Sequence, residues 1–296
     1  MKTFKALRAL PLLLATIMLA LTTSVSAKEK PEWRNGPLGD RFFATIGYYK
    51  PSLRTQAGIS DAEGNLGALI SFEETLGLSD SKGTGIVGLG WRISKRNALT
   101  LNYFKLDRNS TQDSTISIFI QPDPNQPPIE EEVTLPLSSV FNIESMDITY
   151  SFSAIAKEKH NLGLGIGLAV QDLEFGFKPS ENCTGSLCDL VEPRSAKATA
   201  PLPTFKVLYQ YAINDKWILA ANVGYFALSL ELDNKEDLSG QIIDAGASIS
   251  WKTWEHVGFA LGYKYFDVDL DYQKRELVAK ADYDYRGFIL GVEAYY

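Results

Sequence analysis

The chain contains 296 residues, of which 45% are hydrophobic, and it carries a formal net charge of −7. This acidic balance argues against a nucleic-acid partner, because nucleic-acid binding needs a basic surface. Beyond the N-terminal leader, no run reaches the roughly 18 consecutive apolar residues of a transmembrane helix, which excludes a helical inner-membrane protein.

The N-terminus has the pattern of a secretory signal peptide. Basic residues precede an apolar run at 9–21, and the small-residue sequence Val25-Ser26-Ala27 follows it. A membrane-anchoring helix is the alternative, but about thirteen apolar residues are too few to cross roughly 30 Å of hydrocarbon. We therefore predict a signal peptide at 1–27 that is cleaved after Ala27. Residues 28–40 hold prolines and glycines, and they are predicted to form an irregular periplasmic lead-in.

From residue 41 onward, the chain repeatedly alternates large apolar residues with small or polar ones. In 162–171, Leu, Ile and Val fill the even positions, and Gly, Ala and Gln fill the odd ones. This period of two gives a β-strand one apolar face and one small or polar face. The pattern predicts ten strands, at 41–53, 83–93, from 99 onward, 139–155, 162–177, 203–213, 217–232, 241–251, 257–272 and 283–296.

The third of these strands loses its alternation beyond Phe104. Lys105 and Asp107 occupy the phase that is apolar earlier in the strand. Two explanations are open: the strand leaves the membrane at this point, or a β-bulge shifts its register.

The connections between the predicted strands alternate in length. Those after the second, fourth, sixth and eighth strands hold only about three to six residues, whereas long polar segments occur at 55–82, 121–138 and 178–202. A soluble β-sandwich gives no reason for this sorting, but outer-membrane barrels have short periplasmic turns and long extracellular loops. We therefore predict an all-β fold: a closed antiparallel transmembrane β-barrel over 41–296, with ten strands, or eight or twelve as alternatives.

The aromatic residues fit two girdles at the membrane interfaces, as expected for such a barrel. The tryptophans in particular gather beside the short turns, which a general preference of aromatics for strands does not explain. The short-turn girdle is predicted to contain Trp91, Tyr209, Tyr211, Trp217, Trp251 and Trp254, and the other girdle Tyr48, Tyr225, Tyr263 and Tyr265.

Three segments carry a resemblance to a known group of proteins. The chain ends on an aromatic residue in Ala294-Tyr295-Tyr296, and further similarity lies in 70–78 and 261–269. These segments resemble small Gram-negative outer-membrane barrels of the OmpW-like and OmpA-like porin group, although tyrosine replaces the usual terminal phenylalanine. The resemblance implies location in the outer membrane of a Gram-negative bacterium and the barrel-assembly machinery as a partner. It implies hardly anything about activity.

Two cysteines, Cys183 and Cys188, occur in the chain. An exported protein meets oxidising conditions, so we predict a disulfide that closes a short loop. The alternative, a metal site, is disfavoured because no histidine or further thiol lies nearby.

Catalytic and metal-binding patterns are weak. His160 and His256 lie in or beside short turns, away from any serine–acid constellation, so we predict no enzyme activity, no cofactor and no metal. Asp267, Asp269 and Asp271 alternate on the ninth strand and could collect a cation. The interpretation we favour is a solvated extension of the strand above the membrane.

Charged residues of both signs fall on the face predicted to line the lumen. Such charges suit a plugged interior or a thin hydrated path, since wide aqueous channels need about sixteen strands. The inward glycines Gly163, Gly165 and Gly167 predict space for a small solute beside the fifth strand. The predicted lumen residues include Arg41, Arg92, Asp147, Lys206, Asp244, Lys264 and Glu293.

Two functions fit these predictions. The first is a porin-like barrel that passes or binds small solutes through a narrow lumen of mixed charge, in contact with outer-membrane lipid and lipopolysaccharide. The alternative is a structural or surface-interaction barrel that acts, without transport, through acidic outer loops containing residues such as Glu73, Glu74 and Asp80. Neither the solute nor the oligomeric state follows from the sequence.

Overall fold

The described chain forms one antiparallel sheet that closes on itself, because the last strand pairs with the first. The computed structural model describes residues 31–61, 66–120, 129–183, 188, 194–232, 236–274 and 277–296, so the predicted signal peptide lies outside it. Ten strands form the closed barrel, as predicted, and one further short strand, β2, pairs with β1 alone. The strands are β1 (Phe42–Asp61), β2 (Leu66–Ser71), β3 (Thr84–Arg92), β4 (Asn97–Ile120), β5 (Ile129–Ala156), β6 (His160–Pro179), β7 (Arg194–Ala212), β8 (Trp217–Leu232), β9 (Glu236–Lys252), β10 (Val257–Lys274) and β11 (Leu277–Tyr295).

The predicted apolar face of the strands points outward and is exposed. Ile46 is 70% exposed and Leu290 is 62% exposed, whereas their strand neighbours on the other face are half-buried or buried. Large apolar side chains left uncovered in this number need an apolar medium around the barrel. This apolar belt includes Ile46, Tyr48, Val87, Leu99, Tyr150, Leu164, Ile166, Phe205, Val207, Val223, Leu261, Tyr263, Phe288, Leu290 and Val292.

The two ends of the barrel differ. At one end, called the short-turn end, four tight turns join β3 to β4, β5 to β6, β7 to β8 and β9 to β10. The opposite end, called the long-strand end, carries strand extensions where the sequence predicted long loops. The prediction of loops at 55–82, 121–138 and 178–202 was therefore wrong in part, because strands cover 66–71, 129–138 and 194–202.

The strands extend beyond the apolar belt, past the point where the alternation of apolar and polar residues ends. Lys105 and Asp107 are exposed on β4, and the β4–β5 register runs without a shift from Asn97 to Ile120. Outside the belt the outward face meets water, so polar residues can occupy it while the backbone hydrogen bonds persist. Of the two explanations for the blurred alternation, the bulge is wrong because the register does not shift, and the exit of the strand from the membrane stays a prediction.

The predicted disulfide between Cys183 and Cys188 is confirmed. Both cysteines pack against a small cluster formed by Leu135 and Leu137 at the long-strand end of β5. This packing holds the two bridged cysteines, which follow β6, against β5.

The described part of the chain also contains one 3₁₀ turn, Glu32–Arg34, before the barrel. Among the described residues, no helix has the length and apolar character needed to cross a membrane.

Candidate functional site in the barrel lumen

The long-strand half of the lumen is filled by an apolar core. Tyr49 and Tyr285 are 0% and 1% exposed, and the rings of Phe104 and Phe266 pack against Tyr285. Every barrel strand contributes at least one side chain to this core, and the contribution of β8 is the partly buried Phe226. The core therefore crosses the whole lumen. Its buried members on the strands are Tyr49, Leu53, Ile86, Phe104, Leu106, Phe141, Ile143, Ala169, Leu202, Ile242, Phe266, Val268, Tyr283 and Tyr285.

Residues Phe72–Asp80, called the plug segment, fold from the end of β2 into this core. Phe72, Leu76 and Leu78 are 6%, 5% and 2% exposed. The Phe72 ring stacks on Phe175 of β6, with centroids 4.6 Å apart, so the segment reaches across the lumen from β1. The plug segment therefore adds three buried apolar side chains to the core that the strands form in the long-strand half of the lumen.

The plug segment contains a single helical turn that begins at an N-cap residue and ends at a glycine. The amide of Glu74 donates to Oγ of Ser71 at 3.3 Å, which is the hydrogen bond of a helix N-cap. Gly77 then has φ of +62°, the left-handed conformation that ends a helical turn and that glycine adopts without strain. The amides of Leu76 and Leu78 both donate to the Phe72 carbonyl.

Arg108 on β4 holds the plug segment in place. Its guanidinium forms an ion pair with Glu73, donates to Oγ1 of Thr55 at 2.8 Å and donates to the Ser79 carbonyl at 3.3 Å. The Arg108 side chain is 0% exposed and lies over the Phe141 ring, 4.8 Å from its centroid. The sequence placed Glu73 among solvated acidic loop residues, but its side chain is only 12% exposed because it pairs with this buried arginine.

Beneath the apolar core, four charged side chains form an ion cluster inside the barrel. The Nζ of Lys206 lies 2.8 Å from Oδ2 of Asp147 and 2.6 Å from Oδ2 of Asp244. The Nζ of Lys264 lies 3.6 Å from Oδ1 of Asp244, and Thr149 donates to Asp147 at 3.0 Å. Two cations and two anions balance, which is the arrangement that buried charges require.

The ion cluster forms the top of a cavity of about 310 Å³ in the short-turn half of the lumen. Of the seven predicted lumen residues, this cavity brings together all but Arg41. Arg41 is exposed at the start of the barrel, with its guanidinium 5.7 Å from the centroid of the Phe42 ring. The six that line the cavity are Arg92, Asp147, Lys206, Asp244, Lys264 and Glu293.

The three inward glycines of β6 have different surroundings. Gly163 lines the cavity. A Cβ on Gly167 would lie 2.6 Å from Cε of Lys206, and one on Gly165 would lie 3.1 Å from Cδ1 of Leu208. The space beside Gly165 and Gly167 is therefore occupied by neighbouring side chains, including the Lys206 stem, and only the region at Gly163 is open to a solute.

A second cavity, of about 790 Å³, lies below the first and is called the vestibule. The lead-in forms one wall of it through residues such as Trp33 and Leu38, and Arg92 and Asn161 line both cavities. Lys252 binds the lead-in to the barrel, since its Nζ pairs with Asp40 and donates to the Pro37 carbonyl at 2.9 Å.

The two histidines both lie at the short-turn end. Nδ1 of His160 is 2.9 Å from the Tyr209 hydroxyl, and Nδ1 of His256 is 3.1 Å from the Tyr295 carbonyl. Within the described residues, no group of three or more His, Cys, Asp or Glu side chains is arranged to hold a metal ion. The absence of enzyme activity stays a prediction.

An acidic ladder lies above the apolar belt on the outer faces of β10 and β11. Asp267, Asp269 and Asp271 share one face of β10, and they pair in register with Asp284, Asp282 and Lys280 of β11. Basic residues offset part of this charge. Nε of Arg54 lies 2.9 Å from Oδ2 of Asp284, and Nζ of Lys280 lies 3.4 Å from Oδ1 of Asp271.

Asp282 is expected to titrate near neutral pH. Burial raises the pKa of Asp282 to about 6, and Asp269 adds to the shift through a hydrogen bond and its charge. Because the pKa in the folded state lies above the ordinary value, the β10–β11 extension is expected to be more stable at pH 5 than at pH 7. A carboxyl-carbon NMR titration of Asp282 measures this directly. Asp269→Asn should return its pKa toward the ordinary value, whereas Asp215→Asn in an exposed turn should not, and an ordinary pKa in the wild type would contradict the prediction.

No protein-family model matches the chain, and no curated protein sequence matches it. Among solved structures, the outer membrane protease OmpT from Escherichia coli aligns with a TM-score of 0.56 at 11% identity, covering 87% of this chain and 97% of OmpT. This chain has the fold of an outer-membrane β-barrel. The identity is too low to carry more than the fold. The more specific resemblance to the OmpW-like and OmpA-like group stays a prediction.

Two further outer-membrane structures align with lower scores. OprG from Pseudomonas aeruginosa gives a TM-score of 0.36 at 9% identity over 87% of this chain and 96% of its own. The toluene transporter TodX from P. putida gives 0.32 at 10% identity over 87% and 90%.

Arg108 was not predicted as a lumen residue and Glu73 was predicted to be a solvated loop residue, although the sequence carries a local signal for the plug segment. The sequence from Ser71 to Glu74 fits the S/T-x-x-E capping box, and Gly77 follows where a helical turn ends. Together with the apolar residues Phe72, Leu76 and Leu78, this pattern predicts a short amphipathic turn in place of a solvated loop. Its attachment to Arg108 depends on chain closure and leaves no local signal.

Proposed function

We propose that this protein is an outer-membrane barrel that acts without transport, as a structural or surface-interaction element of the envelope. The observation that carries the proposal is the apolar core, which together with the plug segment fills the long-strand half of the lumen on every side. A hydrated path for ions or polar solutes would have to cross this apolar layer, where polar groups lose their hydration without replacement.

In this proposal the apolar belt contacts outer-membrane lipid, and the short-turn end faces the periplasm. The strand extensions then stand above the membrane and present the acidic ladder and the acidic outer residues toward lipopolysaccharide. The barrel-assembly machinery is the partner during insertion. The support for its involvement is strand β11, which pairs with β1 to close the barrel and ends on the aromatic residue Tyr295.

A porin-like role is the second candidate, and the cavity of about 310 Å³ favours it. Passage through the barrel would then require the plug segment and the core to rearrange. In contrast to the first candidate, this function predicts conductance or solute uptake whenever the plug segment is released.

Planar-bilayer recording of the folded wild-type protein tests the proposal. We expect no stable unitary conductance at neutral pH, because the apolar core closes the lumen. Insertion is checked independently, by protease protection in proteoliposomes and by the faster gel migration of the unboiled barrel. Stable ohmic steps in the wild type would overturn the proposal, and steps confined to an Arg108→Ala variant would favour the porin-like candidate.

A further inference from the structure

Arg92 is a buried cation whose hydrogen-bonding capacity is mostly unused. It lies at the short-turn end of β3 and is 9% exposed. Its Nη2 donates to Oε1 of Gln210 over a long 3.3 Å, and its Nε has no partner. Throughout the described residues, no Asp or Glu carboxylate lies within ion-pairing distance of Arg92. This differs from Lys206 and Arg108, which both have carboxylate partners.

Among the carboxylates around Arg92, Asp40 and Glu293 have other partners, and Glu32 and Glu158 line the vestibule with Arg92 without pairing with it. Asp40 forms its ion pair with Lys252. Glu293 lines the same cavity, and it accepts hydrogen bonds from the hydroxyl groups of Thr45 and Tyr295. A buried arginine with no fixed counter-charge is costly unless an anion or water supplies its hydrogen bonds.

Asn161 presents the complementary group beside Arg92. Its Nδ2 donates to the same Gln210 oxygen at 3.1 Å, so Gln210 links the two side chains. Its Oδ1 is buried and has no partner among the described residues. Arg92 and Asn161 both line the cavity and the vestibule. The junction of the two cavities therefore offers an unused charged donor and an unused acceptor.

We propose that this junction binds a small organic carboxylate that carries a hydroxyl group. The Arg92 guanidinium holds the carboxylate, since its planar fork of N–H donors matches the two carboxylate oxygens. Asn161 Oδ1 accepts the hydrogen bond of the hydroxyl group. A bound carboxylate would give the Arg92 guanidinium charge-assisted hydrogen bonds, which are stronger than those between neutral groups.

The vestibule gives the site a route to the short-turn end. Lys95 and Lys157 line it and favour the approach of an anion, although Glu32 and Glu158 limit the net attraction. The cavity of about 310 Å³ is at the lower end of the size range of small-molecule sites, which restricts the ligand to a small acid. The ion cluster and the apolar core close the other side, so binding at this site does not require a conducting barrel.

Isothermal titration calorimetry on the folded full-length protein in detergent tests this site. The ligands are L-lactate, acetate and inorganic phosphate. We expect saturable binding of L-lactate at one site, weaker binding of acetate because it lacks the hydroxyl group, and no competition by phosphate. Arg92→Gln should weaken L-lactate binding by at least about tenfold, whereas Arg96→Gln, a matched change in the neighbouring exposed turn, should leave it unchanged.

A second variant covers the case in which Arg92→Gln does not fold. Asn161→Asp keeps the arginine and places a carboxylate beside it, so the internal ion pair should abolish L-lactate binding. The proposal is overturned if the wild type shows no saturable binding of L-lactate, if phosphate alone binds, or if a folded Arg92→Gln or Asn161→Asp variant binds as the wild type does. None of these outcomes depends on bilayer conductance.

Discussion

Replacing Lys206 with methionine is expected to destabilise the folded barrel by about 3–5 kcal/mol, the cost of breaking a buried ion pair by removing one partner. Lys206 is 5% exposed and bridges Asp147 and Asp244, so the substitution leaves Asp147 buried with no cation in contact. Urea unfolding of the reconstituted protein, followed by tryptophan fluorescence and by gel migration of the unboiled sample, measures the loss.

Charge balance provides the control for this substitution. Adding Asp147→Asn to Lys206→Met leaves Lys264 paired with Asp244, and should recover most of the lost stability. Lys216→Met changes a lysine in an exposed turn, where we expect a change within about 0.5 kcal/mol. A Lys206→Met variant as stable as Lys216→Met would show that the ion cluster does not hold the interior together.

Replacing Arg108 with alanine is expected to release the plug segment while the strand pairing of the barrel stays intact. The substitution leaves the Glu73 side chain, which is only 12% exposed, without its cation and removes the hydrogen bonds to Thr55 and Ser79. The loss should be about 3 kcal/mol, concentrated in the plug segment, because the barrel ladder does not depend on Arg108. Hydrogen exchange at the amides of Leu76 and Leu78 should then be about a hundredfold faster.

A matched arginine separates this local effect from a general one. Arg54 also forms an ion pair, with Asp284, but its side chain is 69% exposed, so Arg54→Ala should leave exchange in the plug segment unchanged. Adding Glu73→Gln to Arg108→Ala should restore part of the protection, since it removes the uncompensated charge. Unchanged exchange at Leu76 and Leu78 in Arg108→Ala would mean that apolar packing alone retains the segment.

Properties that depend on neighbouring residues in the sequence were predictable. Strand alternation is a local pattern of period two, so it identified ten barrel strands and their exposed faces, including Ile46 and Leu290. The disulfide was predictable because Cys183 and Cys188 are the only two cysteines and lie close in sequence. The ends of the strands at the long-strand end were not predictable. The alternation stops where the outward face meets water, whereas the backbone hydrogen-bond ladder continues beyond that point.

The content of the lumen was decided by the tertiary structure. The alternation could place Lys206, Asp147 and Asp244 on inward faces, but their contact depends on the register of strands far apart in the sequence. The ion pair between Arg108 and Glu73 likewise forms only because the chain after β2 turns into the barrel. The two-residue period of a strand defines whether a side chain points into or out of the barrel. Which side chains an inward residue contacts across the lumen is defined only by closure of the sheet.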